Sequence, residues 1–235
     1  MNNRFDELVT RLKDGLGDDL VSIIAYGSAI NSTGKTKKSD YQLLVVTRHL
    51  NITDLRKVTP VIKWLVSDGY AMPTLFTGDE LENSLDVYPI EFRHMKQSYK
   101  VLFGKDLLGE QQISKDHLRW QTEHELRGKL MRLRALYIPA SESNDDLLKL
   151  MTDSIVSFVR LLRPVLEMFG EVPPVSRMAT VKNTGEKLKI DTSPLARILE
   201  QRNEPKELMG MEIQDLFSGY LNCLTRVTEA VDRLQ

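Results

Sequence analysis

A chain of 235 residues with a net charge of −1 and a pI near 6.5 is long enough to bury one large core or two modest ones, and it has no global drive toward nucleic acid or an anionic membrane. Its single cysteine, Cys223, excludes an internal disulfide and a cysteine-built metal site. The polar start, Met1 to Glu7, has no apolar signal core, and no apolar run approaches the ~20 residues that span a bilayer, so a cytoplasmic protein with no membrane partner is expected.

In chain order, residues 4–14 predict a helix, with Phe5, Leu8, Val9 and Leu12 on one stripe and Gly15 and Gly17 to end it. Residues 20–26 predict a buried strand and residues 41–47 a second. Residues 54–68 predict an amphipathic helix on which Leu55, Val58, Val61, Ile62, Leu65 and Val66 share a face, stopped by Gly69. Weaker strands are expected over 71–77 and 88–95. In the second, Ile90, Phe92 and His94 would face the core and Glu91 and Arg93 the other side, with Pro89 suited to an edge. Strands alternating with helices predict a mixed sheet with flanking helices over residues 1–111, in a chain of α+β class.

From residue 112 onward nearly everything reads as helix, so residues 112–235 are expected to form an all-α bundle. Residues 115–138 carry Leu126, Leu130, Leu133 and Tyr137 at helical spacing. Residues 145–169 are apolar on more than one side, the mark of a central helix, and Pro164 inside them should bend it. Residues 171–210 predict two shorter helices, and 212–234 a long one with Ile213, Leu216, Phe217, Tyr220, Leu224, Val227, Val231 and Leu234 on a stripe. Ser141 to Asn144 read as an exposed loop. Cys223, in this apolar setting, reads as a buried thiol rather than a reactive one. The wide apolar surface of the bundle is compatible with a homodimer.

Chemistry concentrates between the first two strands. Tyr26-Gly27-Ser28 follows the apolar run Val21 to Ala25, and Ser39-Asp40-Tyr41-Gln42 leads into the next. Glycine allows a tight turn and a close backbone approach to a ligand. If residues 28–33 begin a helical turn, free N–H groups and the Ser28 hydroxyl make an anion site. Lys35, Lys37 and Lys38 would add positive charge toward phosphates; the plain alternative is a solvated lysine-rich loop. Residues two apart in a strand share a face, so Asp40 and Gln42 would stand together, with Glu91 as a third side chain from a neighbouring strand. Paired carboxylates with a third oxygen donor are how such a face holds Mg²⁺. An ion pair of Glu91 with Arg93 on an edge strand explains the same residues without a ligand.

The segment Ile24 to Ser28, its spacing to Ser39 through Val46, and the later Glu91 together resemble the nucleotidyltransferase superfamily, with its DNA polymerase β-like fold. The helical second half resembles the architecture of kanamycin nucleotidyltransferase-like proteins. The resemblance implies transfer of a nucleoside monophosphate from a nucleoside triphosphate to an acceptor hydroxyl, with Mg²⁺. It implies that Gly27 and Ser28 hold the triphosphate, that Asp40 ligates metal, and that Glu91 completes the site or accepts a proton. The acceptor, small molecule or macromolecule, stays open. The family pattern is acidic-apolar-acidic, and here the second acidic position is Gln42. An amide oxygen can touch a metal but brings no negative charge, so transfer should be weak or lost while nucleotide binding survives. Arg93 beside Glu91 would weaken that carboxylate as a base.

Two other motifs compete. Ala29 to Thr36 approaches a P-loop, but the next strand starts too soon for the crossover helix a P-loop must open. Arg119 and His124 match the Arg-x4-His spacing of HEPN-type ribonucleases, but that spacing is common by chance, nothing else supports RNA cleavage, and a solvated helix face explains them better.

Overall fold

The computed structural model describes residues 3–27, 29–31, 36–208 and 210–234. The chain divides into two compact units, Met1–Ser114 and Lys115–Gln235.

The first unit opens with α1 (Asn3–Leu16) and β1 (Leu20–Tyr26), followed by β2 (Gln42–Thr47) and α2 (Ile52–Ser67). Leu8, Leu12 and Leu16 recur every four residues along α1 and are buried, which is the stripe a helix needs to dock on a sheet. Asn51 starts α2: its side chain accepts the N–H groups of Thr53 (2.8 Å) and Asp54 (3.3 Å), and Asp54 accepts the Asn51 N–H in return. This reciprocal box satisfies donors that a helix start otherwise leaves open. The unit continues with β3 (Thr74–Thr77), α3 (Gly78–Asn83), α4 (Pro89–Gln97) and β4 (Tyr99–Gly104).

The sheet has order β3-β2-β1-β4, with β1 antiparallel to β2 and β4 and β2 parallel to β3. Period-two alternation sorts the central strands onto two cores. Ile23, Ala25, Leu43 and Val45 pack with Leu8, Leu12, Val58, Ile62 and Leu65 of α1 and α2. Ile24, Tyr26, Leu44 and Val46 pack with Leu81, Phe92, Met95 and Leu108 on the other face. Covering both faces explains why β1 and β2 read as continuous apolar runs rather than alternating ones. Each fully buried leucine or isoleucine here contributes about 1.5–3 kcal/mol.

Residues 88–95, expected as a strand, are the helix α4. Pro89 stands at its first turn, where a missing N–H costs nothing, and Phe92 and Met95, three apart, are buried against the sheet. His94, expected as a core histidine, is exposed on this helix. Glu91 and Arg93 lose the shared face that strand alternation would have provided, because residues two apart on a helix diverge. The strand is Tyr99–Gly104 instead. Its signal is the short run Val101-Leu102-Phe103 ended by Gly104, and it is only partly buried as an edge beside β1.

The second unit consists of α5 (Lys115–Ala140), α6 (Asn144–Met168), α7 (Arg177–Leu188), α8 (Ser193–Asn203) and α9 (Gly210–Asp232). The stretch 171–210 does hold two shorter helices. α6 is central: Leu147, Met151, Ile155, Phe158, Val159, Leu162 and Val165 are all buried. It runs on through Pro164 as continuous helix. Proline has no N–H to return to the preceding turn, and the dense packing around Leu161, Leu162, Val165 and Leu166 holds the helix together there. The Cys223 thiol is buried, and burial pushes its pKa up to about 12, which makes it inert at neutral pH. The overall class is α+β.

Candidate functional site

The end of β1 is shaped by Gly27. Its φ of +103° lies where side-chain-bearing residues are strained. The Gly27 N–H donates to the Ser98 carbonyl (2.9 Å), and the Gly27 carbonyl accepts the Ile30 N–H (3.1 Å), closing a turn. A Cβ added at Gly27 would lie 3.4 Å from the Asp40 carbonyl oxygen and 3.7 Å from Gln42 Cγ. The fold therefore brings Gly27, Asp40, Gln42 and Ser98 to one corner of the sheet. Ser28, expected to hold an anion, lies outside the described residues.

Gln42 is the first residue of β2, directly across from Tyr26, and is exposed. By alternation it shares the Leu44/Val46 face, the one on which α4 packs. Asp40 differs from expectation in its backbone. It closes a 3-10 turn, Lys38–Asp40, rather than lying in the strand, so alternation does not relate it to Gln42. Its Oδ2 accepts the Lys37 N–H at 2.8 Å, a short side-chain-to-backbone bond that fixes the turn. Glu91 is exposed in the first turn of α4.

Lys38, expected to face phosphates, is engaged elsewhere. Its Nζ donates to Asp68 Oδ1 at 2.9 Å and lies 5.8 Å from the Tyr70 ring centroid. Asp68 Oδ2 accepts from Arg4 Nε at 2.8 Å. Arg4 also meets Glu7 at 2.7 Å and, with Arg11, lies 4.5 Å from the Trp64 ring centroid. The aromatic rings of Phe5, Tyr41 and Tyr70 meet beside this network, with centroids 5.5–6.4 Å apart. Nothing local foretells Asp68: it is thirty residues from Lys38 and sixty-four from Arg4.

Arg4 first, and Lys38 second, hold the Asp68 carboxyl well below the usual carboxylate range. A depressed folded-state pKa means the stabilisation is fully present above the unfolded value of about 4 and is lost as pH falls through the folded value. Asp68→Asn is therefore expected to lower the melting temperature by a constant amount above pH ~6, and the gap to the wild type should close below pH ~4. Thermal melts of both proteins across that range check this. A gap that stays constant down to the acid limit would deny the ion pairs their role.

Among the described residues no group of three or more His, Cys, Asp or Glu side chains is placed to hold a metal ion. The P-loop alternative fails on topology, since β1 and β2 pair antiparallel, whereas a P-loop strand is followed by a helix and a parallel neighbour. In the second unit, Arg119 pairs with Glu123 of its own helix at 3.0 Å, and His124 is exposed.

No protein-family model matches the chain, and no curated protein matches it. Among solved structures, it is similar to spectinomycin adenyltransferase AAD(9) from Enterococcus faecialis, whose crystal structure is with ATP and spectinomycin. The two share 13% sequence identity over 97% of this chain and 99% of that one, with a TM-score of 0.55. Identity that low carries the fold and nothing finer, and on that ground the chain has a nucleotidyltransferase-like fold.

Proposed function

We propose that this protein binds a nucleoside triphosphate at the Gly27 corner and that its capacity for nucleotidyl transfer is weakened or lost. The observation that carries this is Gln42. It stands at the mouth of β2, in contact range of the Gly27 turn, at the position where the resembled pattern has a carboxylate. Support for the nucleotide comes from the left-handed glycine turn at a strand end and from the similar adenyltransferase, whose structure is with ATP.

Magnesium is what the resemblance implies, and among the described residues no set of side chains makes its cage. The Asp40 carboxylate is bonded to its own turn, Gln42 is neutral, and no acidic cluster gathers among the described residues. Mg²⁺ favours one or two carboxylates together with substrate phosphates. What the chain's own groups can do is bind: the glycine turn lets the backbone approach a phosphate closely, and the Gln42 amide offers both a donor and an acceptor.

The test is calorimetry of ATP binding with and without Mg²⁺. Micromolar to millimolar ATP binding that changes little with Mg²⁺ is expected. Gly27→Ala puts a methyl group on a φ of +103° and against the Asp40 carbonyl, and should weaken ATP by at least about tenfold. Unchanged affinity in Gly27→Ala would remove the turn from the site.

A further inference from the structure

We propose that Asp68 sets nucleotide affinity at this corner by neutralising Lys38, a contact that holds the cation back from a triphosphate; this rests on the nucleotide-binding reading above.

Lys38 opens the 3-10 turn that ends at Asp40, and the Asp40 carbonyl abuts Gly27, so its stem starts two residues before the one that meets the Gly27 turn. Its ammonium is nonetheless taken by a carboxylate outside that turn: Nζ to Asp68 Oδ1, 2.9 Å. The pair is asymmetric. The Lys38 side chain is 52% exposed and the Asp68 side chain 20%. Asp68 is also gripped by Arg4 on its other oxygen, which leaves the carboxylate fixed and the lysine the mobile partner. Asp68 follows the end of α2, and Tyr70 beyond it joins Tyr41 and Phe5. The Tyr41 hydroxyl in turn lies 3.3 Å from Thr36 Oγ1. The carboxylate is therefore fixed by packing on α1 and α2, both outside the turn it controls.

A lysine already paired with a carboxylate adds little net field to an incoming polyanion, because the two charges cancel beyond a few ångströms. A triphosphate must outcompete Asp68 for the ammonium to gain a charge-assisted hydrogen bond. Binding and stability are thus predicted to respond to Asp68 with opposite signs. A residue that merely supports the fold would move both in the same direction.

The experiment is ATP titration of the full chain by calorimetry at low and moderate salt, for the wild type, Asp68→Asn, Lys38→Met and the double variant. Asp68→Asn, though less thermostable, should bind ATP about fivefold more tightly at low salt, with the gain shrinking as salt rises. Lys38→Met, which leaves the Asp68 charge without its lysine partner, should bind no more tightly than the wild type, and the double variant should return to wild-type affinity, which assigns the gain to the freed ammonium. Wild-type ATP binding with unchanged or weaker binding in Asp68→Asn overturns the Asp68 inference and leaves the nucleotide reading standing. A double variant that keeps the gain of Asp68→Asn also overturns it, because the effect would then not pass through the Lys38 ammonium. Failure of every variant to bind ATP overturns both.

Discussion

Gly104→Ala should destabilise the first unit by about 3 kcal/mol or more, the largest stability effect expected from adding a single methyl group. Gly104 ends β4 with φ +77°, and a Cβ there would lie 1.9 Å from the Val21 carbonyl oxygen and 2.9 Å from its carbon. The left-handed conformation alone costs an alanine roughly 1–2 kcal/mol, and forcing atoms into a packed backbone costs about 1–3 kcal/mol more. Relief is restricted because the neighbouring strand is held at this point. Ser22 pairs with Gly104, and its buried hydroxyl donates to the Lys105 carbonyl at 2.7 Å. The register slips between Ile23 and Ile24 just beyond it, so the close approach belongs to a bulged edge where only glycine fits. Gly128→Ala is the control. It sits in α5 with nothing within 4 Å of the place an added methyl would take, and an alanine in a helix interior should stabilise by about 0.5–1 kcal/mol. Urea unfolding, with Trp64 reporting the first unit and Trp120 the second, separates the two. A Gly104→Ala protein as stable as the wild type would mean that β4 does not approach β1 this closely.

On the proposed reading, Gln42→Asp is expected to gain nucleotidyl transfer. With water taking the nucleotidyl group in place of the unidentified acceptor, so that each ATP yields AMP and pyrophosphate, pyrophosphate release should be near background in the wild type and rise about a hundredfold in the variant when Mg²⁺ is present. The carboxylate itself repels phosphate, so the gain would come from a Mg²⁺ ion it helps to hold, and about a hundredfold is the scale of one preorganised electrostatic contact. The added carboxylate would stand on the sheet face shared with α4, beside the Gly27 turn, and would supply the negative charge the amide lacks. Exposed at the strand start, the position should accept aspartate with little change in melting temperature. Robust Mg²⁺-dependent release by the wild type would overturn the proposed loss of transfer. Tight ATP binding with no release in either protein would place the deficit beyond residue 42, with Asp40 and its bond to the Lys37 N–H as the next position to change.

Legibility differed sharply between elements. α1 was readable because its apolar residues follow a single period, and β1 and β2 because covering both sheet faces makes them continuous apolar runs. α4 was not, because Ile90, Phe92 and His94 alternate as a strand would, while Phe92 and Met95 also fit a helix; a segment that short satisfies both periods. Only packing against Leu44 and Val46 selects the helix. Around the proposed site, the glycine turn after β1 and the entry of Gln42 into β2 were legible from residue type and spacing. The 3-10 turn at Asp40 and the capture of Lys38 by Asp68 were not, since both depend on contacts that spacing along the chain does not encode.

The amino-acid sequence by itself determined the sheet-then-bundle order, the two central strands, the glycine turn and an amide rather than a carboxylate at position 42. These follow from periodicity and from the chemistry of single residues. Tertiary structure alone decided which segment pairs with β1, where Glu91 sits, and what Lys38 bonds to. Those outcomes compare the burial of whole faces and the meeting of charges far apart in the chain, and neither quantity exists until the backbone has folded.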